Sequence, residues 1–164
     1  MIALKSILVA TDFGEASDLA LAYGREMARA FGATLHVLHV ADDVYVRLGG
    51  DAYVTVLPEL QKELEQDALK KLDDLLIDND PNPVAVKKVV MTSSATAACI
   101  VEYANDQHIG LVIAGTHGRG AVAHLFVGSV AERVVRTATC PVLTVRAHER
   151  DFVVPDTLTK TARA

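Results

Sequence analysis

"GLVIAGTHGRGAVAHLFVGS" fills residues 110–129, and "VAERVVRTA" follows at 130–138. Residues 111–114 are continuously apolar, which reads as a strand buried on both faces. From about Ser129 the apolar residues recur at helical spacing. Between strand and helix, Gly115, Gly118, Gly120 and Gly128 put four glycines into fourteen residues, with no Pro, Asp or Asn among them. An ordinary turn needs no such cluster. A backbone without Cβ atoms admits close approach, and bare N–H groups favour an anion such as phosphate. Two well-known phosphate patterns are excluded. The P-loop requires Gly-Lys, which the chain lacks, and the dinucleotide fingerprint G-x-G-x-x-G is replaced by G-x-x-G-x-G at 115–120.

The same alternation of strand and helix extends to both sides of this stretch. "SILVATD" (6–12) is a short apolar run closed by a turn-forming acid. From Glu15 to Phe31, apolar positions 19, 22, 23, 27 and 30 recur at helical spacing and Gly32 supplies the stop. "ATLHVLHV" (33–40) predicts a second strand. Residues 41–57 have no clean period and read as an excursion with a short helical turn. Pro58 suits a helix's first turn, and Leu60, Leu64, Ala68, Leu72, Leu75 and Leu76 form a stripe for packing on a sheet. "VAVKKVVM" (84–91) predicts a third strand, its lysines placing it near a sheet edge. A helix over 94–107, the strand 110–114, the helix from Ser129 and the strand "CPVLTVR" complete the series. Five strands alternating with helices define an α/β fold: a five-stranded parallel sheet with helices on both faces, joined by right-handed crossovers.

Composition narrows the function classes. The chain has 164 residues, 51% of them hydrophobic, which suits one domain with a substantial core. A net charge of −5 argues against a nucleic-acid surface, and no lysine falls between Lys88 and Lys160 to serve the glycine loop. Cys99 and Cys140 show no metal-like spacing and read as buried, inert thiols. No stretch approaches the roughly 20 apolar residues of a membrane span, and no signal peptide is evident, so a cytoplasmic, reducing location is expected.

In an open parallel sheet, ligands bind beyond the carboxyl ends of the strands where the strand order reverses. The glycine loop follows strand four and "ATDFG" follows strand one. If those strands are neighbours, Asp12 and Gly115 face one crevice, and the helix starting near Ser129 points its N-terminus into it. The helix end contributes ~0.3–1 kcal/mol per exposed anionic charge and up to ~2 when partly buried, so a triphosphate needs the loop's N–H groups as well. Ser129 with Glu132 also matches a capping box, and Asp12 with Glu15 matches a cap of the first helix. Each structural reading stands beside ligand binding, and at Ser129 the two are compatible, since a hydroxyl can cap the empty state and turn to phosphate when it is filled.

Gly115-x-x-Gly118, nine residues, then Gly128-Ser129 is the G-x2-G-x9-G-(S/T) pattern of the ATP-binding branch of the universal stress protein family. "ILVATDFGEAS", "LHVLHV" and "CPVLTVR" also resemble that family, over about residues 3–146. The resemblance implies a Rossmann-like, adenine nucleotide alpha hydrolase-like fold with strand order 3-2-1-4-5. It implies a domain over 1–146 followed by a C-terminal tail at 147–164, and a homodimer formed through the last strand at 141–145. It further implies ATP as ligand, with Mg2+ or Mn2+. Ala10, Thr11 and Asp12 would line the nucleoside side, with Val40 at the adenine. Gly115, His117, Gly118, Arg119 and Gly120 would wrap the phosphates, with Gly128, Ser129 and Val130 closing the far side. Asp12 would accept from ribose hydroxyls or hold a divalent ion through water. His124 reads as a structural histidine, and His36, His39, His108 and His148 receive no role.

The implied function is an ATP-binding stress or signalling protein whose occupancy sets conformation, oligomeric state or partner choice, with slow hydrolysis at best. The alternative is an ATP-hydrolysing or adenylating enzyme on the same fold, but neither S-G-G-x-D-S nor H-x-G-H occurs. A phospho-receiver would need an Asp after strand three, where the chain has "MTSS", and a Lys after strand four, where it has "GTHG". A flavoprotein-like electron carrier shares the fold class but is normally longer and two-subunit.

Overall fold

The computed structural model describes residues 3–48, 57–76, 83–116 and 128–146. The elements run β1 (Ser6–Ala10), α1 (Glu15–Phe31), β2 (Thr34–Ala41), α2 (Val44–Leu48), α3 (Leu57–Leu75), β3 (Val86–Thr92), α4 (Thr96–Asp106), β4 (Leu111–Gly115), α5 (Ser129–Thr137) and β5 (Val142–Val145). The strands form one five-stranded sheet in the order β3-β2-β1-β4-β5, every pairing parallel. This is the order expected. The lysine-bearing β3 lies at one edge and β5 at the other.

Burial explains the apolar runs. In the central strand β1, Ile7, Leu8 and Val9 are all inaccessible, as expected for a parallel strand covered on both faces. Ile7 and Val9 join Leu35, Val37, Leu111 and Ile113 against α1 and α3, with Leu72 of α3 buried among them. Leu8 joins Leu38 and Val112 on the other face, against Ile100, Tyr103 and Ala104 of α4 and Val134 of α5. The two faces alternate along each strand because successive side chains point to opposite sides. Helix α1 stops at Gly32, whose φ of 62° lies in the left-handed region that favours glycine. No helix among the described residues is long and apolar enough to cross a membrane.

Three local readings are corrected. First, α1 is capped at Gly14 rather than Asp12. Phe13 turns through φ 61°, and the Gly14 N–H donates both to Asp12 Oδ1 and to Ser17 Oγ, each at 3.1 Å. Second, Ser129 is the first residue of α5, with Gly128 at the cap and no side-chain cap bond. The Ser129–Glu132 capping box does not form. The Glu132 N–H donates to Gly128 O at 3.0 Å, and its carboxylate pairs with Arg136 at 2.9 Å. Third, β5 is less apolar at its surface than the run "PVLTV" suggests. Val145 is buried in the core with α1, and Thr144 is the exposed member.

Candidate functional site

The geometry of the cleft begins with the pairing of β1 and β4, in which Ala10 sits opposite Ala114. The chain leaves β1 into α1 on one face of the sheet and re-enters from β4 through α5 on the other. The two connections diverge, and a crevice opens beyond the carboxyl ends of both strands, where open α/β sheets take ligands. Its volume is about 400 Å3. That is enough for a nucleoside-sized molecule.

Leu38 and Val40 from β2, Ile100 from α4, Ala114 from β4 and Ala131 with Val134 from α5 make apolar walls. Polar groups stand around them: Thr11 and Asp12 from the β1–α1 turn, Ser17 in the first turn of α1, Thr96 at the start of α4, and Ser129 at the start of α5. Ala10, Thr11, Asp12, Val40, Gly115, Gly128, Ser129 and Val130 all line this one crevice. The other expected contacts, His117, Gly118, Arg119 and Gly120, lie outside the described residues, as do His124, His148 and the tail 147–164.

The β1–α1 turn is held by a closed set of hydrogen bonds. Thr11 is buried. Its N–H donates to Leu38 O at 2.9 Å, and its Oγ1 accepts from the Phe13 N–H at 3.0 Å. Ser17 Oγ donates to Gly14 O at 2.8 Å. With its one proton so used, Ser17 accepts at its 3.1 Å contact with Thr11, and the Thr11 hydroxyl is the donor. His39 braces the same turn from β2. Its Nδ1–H donates to Thr11 O at 2.9 Å, and its ring packs on Phe13 with centroids 4.5 Å apart. Thr11 therefore shapes the wall more than it offers a free hydroxyl. Asp12, with one oxygen on Gly14, is the one carboxylate among the described lining residues.

The glycine at 115 has a different cause from the one the sequence suggests. A Cβ built there would sit 2.7 Å from the Ala16 carbonyl carbon and 2.8 Å from its oxygen. The missing side chain makes room for the first turn of α1, while Gly115 also lines the crevice. Sequence reasoning also missed Ser17, His39, Thr96 and Ile100. The i, i+4 spacing of Thr96 and Ile100 puts both on one face of α4 and was a usable signal. Nothing in the sequence shows that this face meets the crevice. The cysteines match expectation: Cys99 is buried and Cys140 partly so. Burial pushes both thiols above the usual range, so they resist ionisation.

A parallel α/β sheet with a cleft at its β1/β4 reversal defines a ligand-binding fold of the doubly wound type. Within that class, the universal stress protein family model matches residues 3–146, and the chain belongs to this family. Universal stress protein MJ0531 of Methanocaldococcus jannaschii is 32% identical over 149 residues, covering 90% of this chain and 85% of the relative. The solved structure of MJ0577 superposes with a TM-score of 0.75 at 25% identity, over 91% of this chain and all of that one. Two more distant members share the fold at 18% and 19% identity, with TM-scores of 0.58 and 0.56. Their structures are complexes with cAMP and, for the Archaeoglobus fulgidus protein, dAMP.

Because Gly115 is dictated by packing, Gly115→Ala is expected to push α1 off β4 and cost about 1–3 kcal/mol, an overpacking penalty. Chemical denaturation measures it; unchanged stability would return Gly115 to a ligand-facing role.

Proposed function

We propose that the protein binds an adenine nucleotide, ATP being the working ligand, in the crevice between β1 and β4, and that occupancy serves stress signalling in the cytoplasm. The observation that carries this reading is the coincidence of an apolar slot with a helix start that has no side-chain cap. Leu38, Val40, Ile100 and Val134 offer a planar base an apolar enclosure. Gly128 and Ser129 begin α5 at the same cavity with no side-chain cap. The N–H groups of the first turn and the positive end of that helix suit a phosphate. Family members solved with cAMP and dAMP support an adenine ligand. The segment containing Gly118 and Gly120 would add further N–H donors by its resemblance to the ATP-binding branch.

The donor set fits a divalent ion held mainly through phosphate and water. Asp12 supplies one carboxylate at the lip of the crevice, and Mg2+ usually keeps several waters beside one or two carboxylates and substrate phosphates. Asp12 would hold Mg2+ or Mn2+ through such a water, and the ion would shield the phosphate charge. Hydrolysis is slow at best on this reading. The hydroxyls of Thr11 and Ser17 are tied into the turn, and the Asp12 carboxylate itself accepts from Gly14.

Gly128 has φ −55° and ψ 142°, a conformation open to any residue, so valine there narrows the phosphate end without backbone strain. By calorimetry, Gly128→Val should weaken ATP binding at least about tenfold, roughly 1.4 kcal/mol, with an unchanged circular dichroism spectrum. Equal affinity in the variant would remove the helix-start site.

The edge position of β5 among the described strands supports a homodimer through residues 141–145, since an edge strand is normally covered or paired. Val145 is a core residue and a charge there would test folding instead. Leu143→Glu should shift sedimentation toward monomer; a dimer that survives it in a folded variant would place the interface elsewhere.

A further inference from the structure

His36 lies outside the crevice and has no part in the reading above, yet it is among the few polar side chains buried in the described core, with 7% of its surface exposed. It sits on β2 between Leu8 of β1 and Lys87 of β3 in the parallel register. Its Nδ1 is 2.8 Å from the hydroxyl of Tyr103, on the buried face of α4. The rings meet edge-on, with centroids 5.8 Å apart. This is a polar contact inside an otherwise apolar helix–sheet interface made by Leu8, Leu38, Ile100, Ala104 and Val112.

We propose that His36 is an acid-sensitive fastener between β2 and α4: proton uptake by its ring loosens α4 and, with it, one wall of the crevice. A neutral imidazole suits the contact in either direction, accepting from the tyrosine hydroxyl or donating to it. The imidazolium permits only donation, and the tyrosine proton must then find another acceptor inside the interface. The surroundings oppose the added charge. From β3, Lys87 is the charged neighbour; its Nζ donates to Gln107 Oε1 at 2.7 Å and lies 5.9 Å from the centre of the Tyr103 ring. From β1 the neighbour is Leu8, and from α4 it is Tyr103. The carboxylates of α4 nearest in sequence, Glu102 and Asp106, are on its exposed side. An imidazolium at this position would therefore face a second cation and no counter-ion among these neighbours.

Burial, with the Lys87 charge adding to it, holds the His36 ring below the usual histidine range. The unfolded or locally opened chain then takes up a proton before the folded state does. Stability from this contact is complete above pH 6.5, the ordinary histidine value, and is lost as pH falls through that value toward the folded one. The helix that loosens carries Thr96 and Ile100 into the crevice. A fall in pH thereby reaches the binding site through packing, from a histidine that lies outside the site.

Hydrogen exchange at pH 7.5 and 5.5, corrected for intrinsic rates, tests this on the full chain. Protection of α4 amides should fall roughly threefold or more at the lower pH, while α1 keeps its protection. His36→Asn, which retains a group near Nδ1 but cannot titrate, should show no α4 loss. Equal α4 protection at both pH values, or an equal loss in His36→Asn, would overturn the proposal. Should that variant not fold, the His36 ring resonance of the native chain decides. A midpoint below that of free histidine, tracked by α4 amide shifts, supports the fastener; a midpoint at or above it overturns the idea. Weaker ATP binding at pH 5.5 in the native chain alone would extend the effect to the crevice, and this arm rests on the nucleotide reading. Absence of ATP binding at both pH values would remove that reading and leave the exchange result to judge His36.

Discussion

The close seating of α1 on the end of β4 is the constraint from which the site follows. Gly115 lets the backbone of Ala16 come within reach of a position where any Cβ would collide. That contact pins the first turn of α1, and the β1–α1 turn that precedes it, at the lip of the sheet. Thr11, Gly14 and Ser17 then close a hydrogen-bonded loop whose partners are nearly all local. Thr11 is tied to β2 through Leu38 and through the His39 ring. One side of the crevice is thus rigid before any ligand arrives. The opposite side, formed by the starts of α4 and α5, has no side-chain caps and is held by apolar packing. The cleft is asymmetric in its mechanics as well as its chemistry.

Much of this architecture was legible in the sequence because parallel strands buried on both faces are nearly unbroken apolar runs. "SILVA", "TLHVLHV" and "LVIA" permit little else, and the glycine at 32 marks a helix end by its left-handed conformation. The lysines of β3 foretold an edge because an inner strand has no water for them. The crevice itself was readable from the succession of elements, since strand ends flanking a reversal must diverge. What could not be read was which neighbour makes each demand. At Gly115 the sequence shows that a side chain is absent, not that Ala16 of α1 fills the space. Ser129 looked like a cap because S-x-x-E is a local pattern, whereas the chain enters α5 one residue earlier than the pattern needs. Thr96, Ile100 and Ser17 come from helices whose rotation about their axes is a tertiary outcome.

His36 and His39 show the same limit. They are three residues apart in one strand, and neither forms a recognisable motif with acids or thiols. Strand alternation sends them to opposite faces. His36 meets a tyrosine hydroxyl beneath α4, and His39 meets a backbone carbonyl in the β1–α1 turn. One contact joins a helix to the sheet and the other stiffens the rim of the cleft. Neither depends on a constellation of catalytic groups, which is what a search for chemistry among histidines looks for. Roles of this kind emerge only when the neighbours of each ring are known.

The central claim is that the space beyond β1 and β4, on the side covered by α4 and α5, is where an adenine nucleotide rests. A crystal structure of the chain grown with ATP addresses it directly. The purine is predicted between Val40 and Ile100, with the phosphates at the Gly128–Ser129 start of α5. Electron density for the nucleotide on the α1/α3 face, at the β3 edge or at β5, with the β1/β4 crevice filled only by solvent, would contradict the account.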